Sequence, residues 1–149
     1  AAAAAAADIL IHRQIIWVKP HMVLTRSGQY HWRHELCFYG WVRGAPCPWY
    51  GDKGQTSVWE LGEPQHNRQH PAQKPVELFA RPLPNHTQKG DAVCEPFAGS
   101  GSQFIAAEQL GRVCLGLELA PKYCDVVVER WQNLTGKKAT RRKGAVNAA

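Results

Sequence analysis

The stretch from Asp91 to Glu118 constrains this chain more than any other, because its spelling changes period where a change of structure is needed. Asp91-Ala92-Val93-Cys94 is a short apolar, strand-like run. Glu95-Pro96-Phe97-Ala98-Gly99-Ser100-Gly101 follows, and Ser102 to Leu110 then reads as a helix. Gly111 suits the end of that helix. Arg112-Val113-Cys114-Leu115-Gly116-Leu117-Glu118 reads as a second strand that finishes on an acid. A strand, turn, helix and strand in this order predict α/β structure with a parallel pairing. The turn is also a ligand cradle. Gly99 and Gly101 lack a Cβ, so backbone can approach a ligand closely. The helix start offers unpaired N–H groups to a negative charge, and the Glu95 carboxylate beside them can hold a positive one. A ligand with both charges close together, such as an amino-acid moiety, suits such a site.

Two common cradles are excluded by spelling. A dinucleotide fingerprint requires a third glycine where Phe104 stands, and a P-loop requires Gly-Lys-Ser/Thr where Gly101-Ser102-Gln103 stands. Beyond the second strand, Pro121 fits the first turn of a helix. Tyr123, Val126, Val127, Trp131 and Leu134 fall on one face of it, and Gly136 can end it. In nucleotide-binding folds an acid at the tip of the second strand accepts hydrogen bonds from ribose hydroxyls. Glu118 is the candidate for that role, and a solvated strand-end carboxylate is the alternative.

The remainder divides the chain into a single incomplete domain over residues 8–135, an uninformative alanine run over 1–7, and a basic tail over 136–149 that reads as solvated and mobile. Gln14-Ile15-Ile16-Trp17-Val18 reads as a buried strand ended by Lys19-Pro20, and Glu35-Leu36-Cys37-Phe38-Tyr39 as another. Residues 61–74 are polar and read as a connector. The formal net charge of +6 favours polyanionic partners. The five cysteines are odd in number and form no C-x-x-C pair, which points to a reducing compartment. Cys94 and Cys114 sit inside the apolar runs, where cysteine acts as a small hydrophobe. No apolar run reaches the length of a membrane span and no signal peptide is evident.

The string Gly90-Asp91-Ala92-Val93-Cys94-Glu95-Pro96-Phe97-Ala98-Gly99-Ser100-Gly101, preceded by His70-Pro71-Ala72-Gln73-Lys74-Pro75, resembles the amino-type DNA methyltransferases, which modify adenine N6 or cytosine N4. Their segments read His-Pro-Thr-Gln-Lys-Pro and Gly-Asp-x-Val-x-Asp-Pro-Phe-x-Gly-Ser-Gly. The cofactor-side motifs come last here, as in the permuted beta-type branch. Ile15-Ile16-Trp17-Val18-Lys19, Tyr30-His31-Trp32-Arg33-His34-Glu35, Ser57-Val58-Trp59-Glu60 and Trp131 to Lys138 are similar to this family as well. The resemblance implies a partial Rossmann-like methyltransferase fold, mostly parallel sheet flanked by helices. It implies S-adenosylmethionine as cofactor, with Lys74, Pro75, Glu95, Phe97, Ala98, Gly99, Ser100, Gly101, Ser102, Glu118 and Leu119 around it. Glu95 and the 97–102 loop would hold the methionine end, Glu118 the ribose, and Leu119 would lie near the adenine, with Phe97 as a stacking candidate.

Several residues depart from the family pattern. Glu95 replaces the usual Asp, Ala72 the usual Thr, and Ala120 a position that is often acidic. Pro82 and Pro84 fall where the family helix continues, so this helix should end early. The family presents its target amine to an Asp/Asn/Ser-Pro-Pro-aromatic loop. No Pro-Pro dipeptide occurs in the chain, so the catalytic N-terminal part is expected to be absent from it and no catalytic residue is assigned. Ala45-Pro46-Cys47-Pro48 has the wrong order for a cytosine-C5 nucleophile, and His31, His34, His66, His70, Cys37 and Cys47 lack finger-like metal spacing. His31, Trp32, Arg33 and His34 read as an aromatic, basic loop, open to core packing or to DNA contact.

The reading is the cofactor-binding part of a DNA amino-methyltransferase, cytoplasmic in a bacterium or encoded by a phage, and of restriction–modification type. The reaction implied is methyl transfer to the exocyclic amine of a flipped base. The implied partners are double-stranded DNA and either a second copy or a segment that carries the loop, with no membrane. A non-catalytic cofactor- or DNA-binding subunit that needs a partner chain is the alternative. A small-molecule or RNA methyltransferase is a further one, against which the upstream His-Trp-Arg-His-Glu string argues.

Overall fold

A computed structural model describes residues 6–24, 26, 28–62 and 73–142. The first described element is a long hairpin. Strand β1 (Ile9–Val23) pairs antiparallel with β2 (Trp32–Val42), and β1 pairs parallel with the short β3 (Val58–Glu60). The sheet order is therefore β2-β1-β3. Val, Ile and Trp are the commonest residues of these strands, as pleated, half-buried surfaces favour. Arg13, Ile15 and Trp17 stand opposite Tyr39, Cys37 and Glu35, so these pairs share one face.

Two features of the hairpin differ from the sequence expectation. Lys19-Pro20 does not end β1, which continues to Val23. A shift of register between Val18 and Val23 lets a residue without an N–H sit in the strand without breaking the ladder. The stretch Trp32-Arg33-His34 lies in β2 and not in a loop, with His34 opposite Val18 and Trp32 opposite Val23. Strand pairing made across the hairpin decided this, and local composition does not record it.

Pro75 caps helix α1 (Val76–Ala80), which ends at the Arg81-Pro82 step, and α2 (Leu83–His86) follows as a separate turn. The early end expected from Pro82 and Pro84 is observed, because a proline ring clashes with the preceding helical turn. Strand β4 (Ala92–Glu95), helix α3 (Ser102–Leu110), strand β5 (Val113–Gly116) and helix α4 (Pro121–Thr135) complete the order. β4 and β5 pair in parallel, Glu95 opposite Gly116. Gly111 and Gly136 end α3 and α4 in the left-handed conformation, which glycine adopts without a Cβ penalty.

The core has two centres. Trp17, Leu61 and Leu78 are buried together, with Trp59 and Phe79 against them. Leu61 opens the stretch expected to be a polar connector, yet it is core; residues 63–72, including His66, His70, Pro71 and Ala72, lie outside the described residues. The second centre is α3, whose Ile105, Ala106 and Ala107 are buried, with α1 and α4 packed on it. The small alanines allow this close approach from two sides. Of the expected α4 face, Val127 is buried and Tyr123, Val126 and Trp131 are half-buried, whereas Leu134 is exposed. The described sheet is in two pieces, β2-β1-β3 and β4-β5, joined through Lys74 as set out below. No described helix is long and apolar enough to cross a membrane.

Candidate cofactor-binding site

The parallel pairing of β4 and β5 brings both acidic tips to one edge. Leu117 N–H donates to the Glu95 carbonyl and Ala98 N–H to the Leu117 carbonyl, each at 2.9 Å. The Glu118 carboxylate accepts from Gly99 N–H at 2.7 Å and from Ala120 N–H at 2.8 Å. It therefore ties the glycine bend to the turn before α4. Glu95 Oε1 accepts Phe97 N–H at 2.8 Å, which fixes the exit from β4.

The bend itself is folded tightly. Gly99 and Gly101 have φ of +53° and +75°, a region costly for side-chain-bearing residues. A Cβ on Gly101 would lie 2.7 Å from a methyl carbon of Val127. Gln103 Nε2 donates to the Ala98 carbonyl at 3.0 Å, and the Arg130 guanidinium donates to the carbonyl and hydroxyl of Ser100 and to the Ser102 hydroxyl. Burial lowers the pKa of Arg130. Ala98, Ser100, Gly101 and Ser102 are buried, so they hold the bend's shape. Phe97 and Leu119 are the opposite case, 84% and 98% exposed. They leave two apolar side chains in solvent beside the acidic tips.

Lys74 links this edge to the hairpin. Its carbonyl accepts the Ser102 hydroxyl at 2.7 Å, and its ammonium pairs with Glu35, which also pairs with Lys19. Burial opposes the charge on Glu35, but the two lysines outweigh it and hold its carboxyl below the usual range. Both lysines also lie over the Trp17 ring, at 5.5 and 5.3 Å, a favourable cation–π arrangement.

The expected site residues from Glu95 to Ser102, with Glu118 and Leu119, thus meet at one strand edge, and Lys74 and Pro75 enter from the α1 side. His31, Trp32, Arg33 and His34 do not join that cluster. They lie beyond Glu35 toward the end of the hairpin that Lys74 reaches, where Trp32 is 58% exposed. Arg33 Nε donates to the Lys19 carbonyl at 3.1 Å, and the Trp32 and His34 rings meet edge-on at 5.3 Å. Sequence reasoning did not single out Glu35, Gln103 or Arg130. Each works through a partner distant in the chain, and the only local signal was an apolar or amphipathic context interrupted by a polar residue. Cys114 is pushed up to about 11 by burial, with Glu95 adding to the effect. It stays a protonated packing residue. Among the described residues no three His, Cys, Asp or Glu side chains group for a metal.

The DNA methylase family (N6_N4_Mtase) matches residues 49–129, more than half of the chain. The chain belongs to this family. The chain is 30% identical over 125 residues to the Type II methyltransferase M2.MboI of Moraxella bovis, an alignment covering 81% of this chain and 41% of that protein. It is 33% identical over 108 residues to the putative methylase YubD of Escherichia coli K12, covering 69% and 46%. The chain thus spans less than half the length of these curated relatives. Its fold matches the M1.HpyAVI–SAM complex with a TM-score of 0.75 at 24% identity, covering 87% of this chain and 66% of that one. It matches the cytosine-N4-specific PvuII DNA methyltransferase with a TM-score of 0.71 at 16% identity, covering 83% and 51%. Over the part it spans, the chain therefore has a partial Rossmann-like fold shared with these methyltransferase structures.

Proposed function

We propose that this methylase binds S-adenosylmethionine at the Glu95–Glu118 edge and serves methylation of adenine N6 or cytosine N4 in DNA. The observation that carries the reading is the joining of two acidic strand tips by a bend whose Gly101 has no room for a Cβ. The donor set suits the cofactor. Glu95 keeps carboxylate capacity for an ammonium after accepting one N–H. Backbone at Gly99 and Gly101 admits a close amino-acid end. The Glu118 carboxylate stands at the tip of the second strand, the position from which an acid accepts ribose hydroxyls in nucleotide-binding folds. Phe97 and Leu119 offer apolar surface to an adenine. When bound, the cofactor supplies an activated methyl group.

The chain's own residues hold and orient. Arg130 and Gln103 stiffen the bend, and Lys74–Glu35–Lys19 fixes α1 against the hairpin, so the cradle keeps one shape. Such positioning is a main source of rate in group transfer. Trp32, Arg33 and His31 lie toward the same end as Lys74 and are the proposed DNA contacts, with the net charge of +6 supplying salt-sensitive attraction to phosphate. The chain holds no Pro-Pro dipeptide. The amine-binding loop therefore belongs to residues outside 1–149 or to a partner chain in this reading. Incubation of the chain with DNA and methyl-labelled cofactor tests it. Label in DNA, with or without an added segment that carries the loop, is the expected result. Cofactor binding with no label under either condition would leave a binding subunit and refute the enzymatic reading.

A further inference from the structure

At the other end of α1 from Lys74 lies a second cavity, of about 520 Å³, between the β1–β2 hairpin, β3 and α2. Its volume falls in the ~300–1,000 Å³ range of small-molecule sites. Tyr39 and Arg13 mark it on the sheet. They sit four strand positions from Glu35 and Trp17, roughly 13 Å along the strand, so the cavity is separate from the proposed cofactor edge.

Its walls are aromatic and fixed. The Tyr39 and His86 rings lie 5.2 Å apart at 31°, and Trp49 meets His86 at 5.1 Å and 76°. The polar tips of these rings are already used. Tyr39 Oη bonds Cys47 Sγ at 3.0 Å, Trp49 Nε1 donates to the Asp52 carbonyl at 3.2 Å, Trp59 Nε1 to the Thr56 carbonyl at 2.9 Å, and His86 Nδ1 meets the Pro48 carbonyl at 3.1 Å. What remains for a ligand is the ring surface and His86 Nε2.

Two polar groups in the lining are unspent. Asn85 is 7% exposed, and its side-chain amide makes no hydrogen bond with any described residue. Its backbone groups are used: the carbonyl accepts Tyr50 N–H at 2.7 Å and the N–H donates to the Pro82 carbonyl at 3.1 Å. Arg13 lines the same cavity. Its guanidinium bonds only the neighbouring His12 carbonyl, at 2.9 Å, and pairs with no described carboxylate.

We propose that this cavity binds a nucleobase carrying a phosphate, with the base against the aromatic walls, its polar edge on Asn85, and its phosphate on Arg13. An amide offers a donor and an acceptor side by side, which complements a base edge. Ring stacking serves any base, and a guanidinium fits phosphate oxygens. The ligand chemistry is the same for a free mononucleotide and for an unpaired nucleotide in a strand.

The test is titration of the full chain with AMP, adenosine, inorganic phosphate and a short single-stranded oligonucleotide, read by tryptophan fluorescence and calorimetry, with S-adenosylhomocysteine present at saturation. AMP is expected to bind, adenosine more weakly, and phosphate alone not measurably. Arg13→Gln, an exposed change that leaves the core intact, is expected to weaken AMP by about tenfold and to leave adenosine unchanged. Asn85→Leu is expected to weaken both. A strand that binds much more tightly than AMP identifies the strand as source, and equal affinities identify the free nucleotide. Absence of AMP binding, displacement of AMP by S-adenosylhomocysteine, or AMP affinity untouched by Arg13→Gln overturns the proposal. None of these outcomes depends on whether the chain methylates DNA.

Discussion

Replacing Gly101 with alanine should cost this protein more than the same change at Gly111, and the difference measures how tightly the cradle is packed. Both glycines are left-handed, with φ of +75° and +72°. An L-residue in that region costs about 1–2 kcal/mol, and both variants bear it. Their surroundings differ. The new Cβ at Gly111 would find only side-chain carbons of Lys89, the nearest at 3.7 Å, which is ordinary contact. At Gly101 it would fall 2.7 and 2.9 Å from the two methyl carbons of Val127, a buried residue of α4. Overpacking of this kind costs about 1–3 kcal/mol. The expected losses are therefore about 1–2 kcal/mol for Gly111→Ala and about 2–5 kcal/mol for Gly101→Ala. Urea unfolding at constant slope reads both. Adding Val127→Ala to Gly101→Ala should recover part of the loss, so that the double variant is more stable than the two single effects predict together. A Gly101→Ala variant no less stable than Gly111→Ala would show that the bend does not pack on Val127 as described.

Two further changes test the supports of the site. The Glu35 carboxyl is held below its usual range by Lys19 and Lys74, so its contribution is present above the ordinary carboxylate pKa and fades as pH falls through the lowered one. Melting temperature should accordingly drop more steeply in the wild type than in Glu35→Gln between about pH 5 and pH 3; parallel profiles would remove the lysine pairing from the account. Arg130→Met should lower unfolding stability by about 1.5–3 kcal/mol, the scale of a hydrogen bond from a charged group. An unchanged denaturant midpoint would mean that the Ser100 carbonyl does not need the guanidinium.

What the sequence made legible was local. Glycine at 111 and 136 and proline at 121 marked the end of α3 and the limits of α4, because each residue has its own backbone reason to stand at a helix end. Pro82 and Pro84 likewise foretold the short α1. The gathering of Glu95, the bend and Glu118 at one edge followed from strand, helix and strand in series. What the sequence did not show depended on pairing at a distance. Whether β1 passes Pro20, and whether Trp32–His34 is strand or loop, is decided by which residues β1 and β2 place opposite one another. The Lys19–Glu35–Lys74 group joins three separate segments, and none of them announces the others. The cavity around Asn85 is equally non-local. A polar residue between two prolines and a histidine gave no sign that it would be buried beside Tyr39 and Trp49.

The most direct measurement is calorimetric titration of S-adenosylmethionine into the full chain and into Glu118→Ala. The account predicts saturable binding to the wild type, weakened in the variant by roughly 1–3 kcal/mol, or about 5- to 150-fold in Kd. Loss of a polar partner for the ligand and release of the Gly99 and Ala120 N–H groups both act in that direction. No binding by the wild type, or an affinity that Glu118→Ala leaves untouched, would contradict it.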